Sequence, residues 1–594
     1  MEVVKRSKYN SSKNPINFVL QNRGVPQDKV SQYIFPSDKM EPDWKKLDNI
    51  EEGLELLKKH IDDESDILVT VDMDMDGFSS FAIITQFIKK QLKHDNIRYY
   101  TPPTKAHGIN IEALEEVGLP DLLIVPDAGS SDFEEHEYLN KKGVEVLVID
   151  HHVVDENKYS EDALVINNQL SEDFEWKALT GSAMTYLFVK AFTQNYGKEY
   201  SLPKKIYEYY LDLCAVGLVA DRASFLDSGS FYYVQQGLSN IKNELFKFIM
   251  EDDSNLSVDG ELTPKNVGFN LAPYFNAMTR EGKPEETKYV TDALIGEEYE
   301  VYNKRLKKEC TVQEEALRKM KSTRSRQSKK VKTAMETLLE KIEEKGSDEN
   351  KIVLVNATGI IEDASYNGLV ATEIAKEYRK PVLVMSVFKE EGVLRGSGRN
   401  INDSPIEDLR KLLEDTEMFN YVSGHAGAFG FEMPLENAHS IIEVINSALY
   451  DVEYENKRHV VDFSYTSKPD ADDIIEIANH QHIWGNDLEA PLIHVHSIYM
   501  DKDDIEFIGK KGNTWKMSFN AASGIMFNLS EEQKMRLVGH ETDMIELEIV
   551  GQCDLNTFKG QEYPQVIIKD FSAKPLEGED GNPWSAIEVD ALPF

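Results

Sequence analysis

A chain of 594 residues, 41% of them hydrophobic, is too long for one core and should form three or four domains. Its three cysteines, Cys214, Cys310 and Cys553, lie far apart, which excludes a disulfide framework or a cysteine-ligated zinc site and points to a reducing, cytoplasmic setting. A net charge of −39 argues against a uniformly polyanion-binding surface, no apolar run is long enough to span a bilayer, and the polar stretch from Met1 to Asn14 has no secretory apolar region.

Residues 1–50, punctuated by Gly24, Pro26, Pro36 and Pro42, read as an N-terminal cap. The spacing of Leu54, Leu57 and Ile61 predicts an amphipathic helix leading into the first of three apolar runs, Ile67–Val71, Leu122–Val125 and Val144–Ile149. Helical stretches at Phe81–Lys93 and Asp132–Lys142 alternate with these runs, the pattern of βαβ units and a parallel sheet, so a first α/β domain is expected over residues 51–297. Tyr207–Ala223 reads as a buried helix and residues 298–348 as a long charged helical connector. A second α/β domain over 349–452 starts at Ile352–Val355 and a small β-barrel over 453–572 follows. From Ala573 an acidic, Gly/Pro-containing segment reads as a disordered tail. The connector holds a basic island: twelve Lys/Arg and three acidic residues between Lys304 and Lys332. Taken alone, such a run is usually a solvated helix face.

Each of the three apolar runs ends in groups able to bind metal. The first ends in Asp72, Asp74 and Asp76 before Gly77, the second in Asp127, the third in Asp150-His151-His152. With a period of two, Asp72, Asp74 and Asp76 are expected to point to one side and Met73 and Met75 to the other. A single aspartate after a strand is ordinarily a helix cap or turn former. Three strands ending this way suggest convergence at the carboxyl edge of the sheet, where open α/β folds bind ligands. Carboxylates with imidazole and no thiolate suit manganese or magnesium, and two such ions suit phosphodiester hydrolysis.

These motifs resemble the DHH phosphoesterase superfamily. The helix Leu211–Asp221 is similar to the motif that supplies its last carboxylate. The resemblance implies two divalent ions, Mn or Mg, held by Asp74, Asp76, Asp127, His151 and Asp221. It also implies Asp72 as a helper and His152 facing the scissile phosphate, with water as nucleophile. Leu179-Thr-Gly-Ser182 and Leu271–Arg280 look like motifs of the RecJ exonucleases. Gly396-Ser397-Gly-Arg399 and Ser423–Gly430 resemble the DHH-associated substrate domain, and the segment after 456, with Trp484-Gly485-Asn486, resembles the RecJ OB-fold. Substrate binding by Asn276, Arg280, Ser397, Arg399 and His425 is implied. Ser423 and Phe429 depart from the glycine and alanine usual in the family, so the pocket around His425 is expected to differ in shape.

The resemblance implies a monomeric exonuclease acting on single-stranded DNA in the 5′→3′ direction, with no membrane partner. A hydrolase of short oligoribonucleotides or cyclic dinucleotides, and an inactive DNA-binding scaffold of the same fold, remain open as alternatives. The end of the chain, with Asp590, Leu592, Pro593 and Phe594, resembles the acidic tip of bacterial single-stranded-DNA-binding proteins. It is expected either to dock host proteins that bind that tip or to cover the chain's own DNA groove.

Overall fold

In the computed structural model, residues 1–8, 14–102, 108–154, 160–253, 256, 262–401, 404–454, 458–519, 521–540, 542–558 and 561–576 are described. The three apolar runs form the centre of a five-stranded, wholly parallel sheet. In order across the sheet its strands are Ile97–Tyr100, Ile67–Thr70, Leu122–Pro126, Glu145–Asp150 and Leu164–Asn167. The central strands are buried on both faces, which explains their unbroken apolar character. The two outer strands are only partly buried and mixed in character, so periodicity does not reveal them.

The first strand ends sooner than expected. After Thr70 the chain bends, and Met75–Gln86 is helix, with Asp74 as its N-cap accepting from the amides of Asp76 and Gly77 at 3.0 and 3.1 Å. Asp72, Asp74 and Asp76 therefore do not lie along an extended strand with a period of two. The turn and the helix cap decide where each carboxylate points. The helices Gly181–Tyr196 and Leu211–Ala220 pack against this helix and wall the carboxyl edge of the sheet.

The connector begins with a hairpin, Glu300–Asn303 and Lys308–Thr311, which the charge pattern concealed. The 34-residue helix Val312–Lys345 follows, started by a Thr311/Glu314 capping box and ended by Gly346 in the left-handed region. At 1.5 Å per residue it is about 51 Å long. Its first half buries Val312, Leu317 and Met320 in the core of the first domain, and its second half buries Ala334, Leu338 and Ile342 in the second domain.

The second domain carries a mixed five-stranded sheet in the order Tyr421–His425, Ala428–Pro434, Val393–Arg399, Val382–Phe388, Val353–Asn356. The third has seven strands, with Phe463–Thr466 at one edge and Glu506–Ile508 at the other. Those edges do not pair among the described residues, so the sheet is OB-like but open, not the closed barrel expected. The first strand joins the second in parallel through the Ala471–Asn479 helix, which covers one face instead of bringing the edges together. The long terminal strand, Gln561–Pro575, includes the start of the expected tail, since Leu547 pairs with Ala573 and Ile545 with Pro575.

The N-terminal segment is more than a cap. Glu2–Lys5 pairs in parallel with Arg458–Val461. Arg23 grips Asp462 through two bonds of 2.7 and 2.9 Å, both side chains being buried. No described helix is long and apolar enough to cross a membrane.

Candidate metal centre and substrate path

Asp127 follows the second core strand with φ of +66°, a left-handed conformation uncommon outside glycine that aspartate adopts more readily than most residues. Its amide bonds to the Ile149 carbonyl at 2.8 Å, which ties this turn to the end of the third strand. Two glycines let neighbouring helices approach. A Cβ on Gly181 would lie 2.2 Å from an Asp127 carboxylate oxygen, and one on Gly217 would lie 2.2 Å from an Asp76 oxygen.

The structure brings together all the expected metal residues. His151 Nε2 lies 3.2 Å from Asp127, 3.9 Å from Asp221 and 4.0 Å from Asp76. Asp72, Asp74 and Asp127 form one compact group, and Asp76, His151 and Asp221 a second, each with ligand atoms within 4.8 Å of one another. Burial, then Asp76, Asp74 and Asp72, holds the Asp127 carboxyl well above the ordinary carboxylate range. Burial, followed by Asp76 and Asp74, likewise raises Asp221. The Asp127 oxygen that faces His151 Nε2 is buried. Clustered carboxylates whose mutual repulsion is relieved by nearby cations, with an imidazole among them, fit hard divalent ions.

Asp150 was placed in the motif by the sequence but given no role. It is buried, and one oxygen accepts from the amides of His151 and His152 and from His152 Nδ1 at 2.8 Å. The other accepts from Ser130. That hydrogen bond, working against burial, raises His152 to about 9 and leaves its ring cationic near neutrality. In Asp150 burial pushes upward, but the bond to His152, the charges of His152 and His151 and the bond from Ser130 together outweigh it, and the carboxyl stays below the usual range. Thr180 and Ser182, whose motif carries no site role in the sequence, lie against Asp76. Thr180 donates to Asp76 at 2.7 Å and the Ser182 amide points at the same carboxylate, so the Leu179–Ser182 motif orients Asp76.

The substrate candidates come from two domains. Asn276 and Arg280 lie one helical turn apart on Ala272–Glu281, and Arg280 donates to the Asn276 carbonyl at 3.0 Å. Burial lowers Arg280, with Tyr366, Asp363 and Asp74 opposing, while burial and Arg280 itself lower Arg399. The two cations therefore feel one another across the domain boundary, and Arg280 also feels Asp74 of the acidic cluster. Ser397 and Arg399 share one face of their strand, and both Arg399 and His425 are in register with Ala428, so His425 lies in the same row two strands away. Ser423 is exposed in the row of Ser397 through Gly430. Phe429 is buried, and its ring fills the space above Gly398. The expected change of pocket shape therefore falls to Ser423, because Phe429 packs into the core on the opposite face.

The basic island is partly consumed by structure. Arg326 bonds Glu286 at 2.6 Å, Lys330 pairs with Glu281, and Arg324 stacks 4.9 Å from the Tyr274 ring centre. Asp590, Leu592, Pro593 and Phe594 lie outside the described residues.

Residues 66–218 match the DHH family, N-terminal domain, and residues 463–570 match the RecJ OB domain. The chain is 33% identical over 563 residues to the putative SPbeta prophage-derived single-strand DNA-specific exonuclease YorK of Bacillus subtilis, covering 93% of this chain and 95% of that protein. It is 24% identical over 558 residues to the single-stranded-DNA-specific exonuclease RecJ of Haemophilus influenzae, covering 88% and 90%. Its fold is similar to RecJ of Thermus thermophilus crystallised with Mn2+, with a TM-score of 0.71 at 18% identity, covering 97% of this chain and 79% of that one. The same Thermus protein with Mg2+ aligns with a TM-score of 0.64. The chain belongs to the RecJ-like family of DHH single-strand-DNA-specific exonucleases.

Proposed function

We propose that this chain is a metal-dependent exonuclease that hydrolyses phosphodiester bonds of single-stranded DNA from a free end, in the 5′→3′ direction. The observation that carries the reading is the convergence of Asp72, Asp74, Asp76, Asp127, His151 and Asp221 into two adjoining groups of ligand atoms. Relatives whose names specify single-strand DNA support the substrate, and the polarity rests on the family resemblance. Asp74, Asp76, Asp127, His151 and Asp221 would hold two manganese or magnesium ions, with Asp72 beside them. Such a pair, when bound, supplies Lewis acidity, lowers the pKa of water and neutralises phosphoryl charge.

The chain's own residues do the rest. Asp150 holds the His152 ring through Nδ1, so that Nε2–H is left to face the scissile phosphate and protonate the leaving oxygen. Arg280 and Arg399, two cations brought together at the boundary, grip phosphate, with Ser397, His425 and Asn276 around them. The third domain exposes Phe527 and Tyr563, which offer faces on which bases stack.

Incubation of the purified protein with end-labelled linear single strands, circular single strands, duplexes and dinucleotides in manganese tests the reading. Linear single strands should be digested from the 5′ end and circles left intact. Efficient cutting of a circle, or activity confined to dinucleotides, would overturn it. We further propose a cytoplasmic monomer whose tip at Asp590, Leu592, Pro593 and Phe594 docks host proteins that bind the tail of single-stranded-DNA-binding protein, a reading supported by sequence alone. A peptide of residues 580–594 titrated against such a protein tests the docking, and faster cleavage after loss of the tail would favour self-inhibition instead.

A further inference from the structure

Asp221 occupies an unfavourable place for an anion. It is the C-cap of the Leu211–Ala220 helix, at the negative end of the helix dipole, and it faces Asp76 and Asp74, which also repel it. The turn that carries it is a Schellman arrangement, with Ala223 N–H bonded to the Leu218 carbonyl at 2.9 Å and Arg222 N–H to Val219 at 3.2 Å. Such a turn needs a left-handed residue after the cap, usually glycine, but here that residue is Arg222, with φ of +60°. Neither the helix end nor the local sequence favours holding Asp221 in the centre.

The restraint comes from the third domain. Asn486 Nδ2 donates to the Arg222 carbonyl at 2.8 Å, its carbonyl accepts from Phe225 N–H at 3.0 Å, and its Oδ1 lies 3.4 Å from the Arg222 guanidinium. The loop is itself rigid. Gly485 and Leu488 exchange backbone bonds of 3.0 and 3.2 Å, and Trp484 and Leu488 are buried. A Cβ on Gly485 would lie 2.2 Å from the Phe225 ring, so only glycine lets the loop come this close. Gln235 adds a bond to the His482 carbonyl at 2.8 Å.

We propose that Asn486 is a positioning residue for the metal centre: the Trp484–Leu488 loop clamps the Arg222 turn and thereby fixes Asp221 against His151 and Asp76. The inference rests on the reading of Asp221 as a metal ligand. The third domain then has a task at the reaction centre in addition to holding the strand.

The test uses the full chain and titrates Mn2+ by calorimetry without substrate, alongside kcat and KM on a short single-stranded oligonucleotide and metal-free melting. Asn486→Ala should weaken Mn2+ binding by about 10-fold, the lower range for groups that orient metal ligands, and lower kcat with KM little changed. Asn486→Asp keeps the shape but sets a carboxylate against the Arg222 carbonyl, and should weaken binding at least as much. It carries the test if the alanine variant does not fold. Asp221→Asn is the reference and should weaken Mn2+ binding more than either. Wild-type Mn2+ affinity in both Asn486 variants, with Asp221→Asn impaired, would overturn the inference alone, as would a rise confined to KM. Unaltered Mn2+ binding in Asp221→Asn would overturn the ligand reading and the inference with it.

Discussion

Between Phe463 and Phe571 the third domain shares one continuous apolar core with the phosphoesterase domain, whereas the second domain keeps two smaller cores and meets the site through polar groups. On the shared side Phe18 packs on Phe463 at 5.6 Å, and the buried Arg23–Asp462 pair locks the N-terminal segment to the third domain. On the other side Tyr366 of the second domain bonds Glu281 at 2.5 Å, and Lys330 of the connector pairs with the same carboxylate. Apolar burial gives the first junction its strength and no room to move. A few polar bonds without a shared apolar core hold less firmly, so the second junction suits a domain that closes on a substrate and opens again. The residues proposed to hold metal thus lie in the rigid body, and part of the proposed phosphate grip in the separable one. Removing everything after residue 456 would also expose the shared core, so point substitutions are the cleaner way to separate the two roles.

The largest effect is expected in the rigid body. Asp127→Ala should lower turnover by about 100-fold or more, while metal-free melting stays level or rises because a buried, repelled carboxyl is gone. Near-normal turnover in manganese would sink the assignment of Asp127. Next comes the shared junction: Asp462→Ala leaves the buried Arg23 with only Glu489 at its Nε and should cost about 3 kcal/mol in denaturant unfolding. A loss below about 1 kcal/mol would mean that this junction, too, is a weak one.

Tyr366→Phe removes one bond of the polar clasp. It should shift global stability by only about 1 kcal/mol. KM for a short oligonucleotide should rise while Mn2+ affinity holds, and an unchanged KM would show that the clasp does not set the position of Arg399. Of the connector's cations, Arg324 and Lys329 make no ion pair among the described residues of the kind that ties Arg326 and Lys330. Charge reversal at these two should flatten the salt dependence of strand binding by about 0.7 in slope for each phosphate no longer neutralised. If the slope does not change, the island is a solvated face with structural pairs.

The smallest effect concerns acid. Burial pushes His136, in the first domain, down to about 4, and burial with His496 does the same to His494 in the third. A histidine with a depressed folded pKa favours the native state above its free value of 6.5, and that stability drains away as pH falls toward 4. Because the two domains share a core, acid unfolding of both should appear as one transition. His136→Phe should make the stability loss between those pH values shallower. Two separated acid transitions would show that the first and third domains unfold independently despite their common core.

Much of the site was legible because its residues sit at the ends of apolar runs. A run of buried β-branched and leucine residues marks a central strand, and parallel strands must deliver their carboxyl ends to one edge, so Asp127 and Asp150–His152 were placed by pattern alone. The outer strands and the 300–311 hairpin were not legible, since their side chains are mixed and their pairing partners are distant in sequence or masked by charge. Phe429 illustrates another limit: a motif position was visible, but which face of the strand it occupied was settled by the partner strand and by Gly398.

By itself the sequence determined the parallel first sheet, the set of metal-capable groups and the family, because each is written in local periodicity or in a short run of residues. The tertiary structure decided that Asp74 is a helix cap, that Asp150 and Thr180 orient other site residues, that Arg326 and Lys330 hold a junction, and that Asn486 reaches Arg222. Those are interactions between residues far apart in the chain or at a bend in it. Their energies depend on burial and direction, which exist only once the chain has packed.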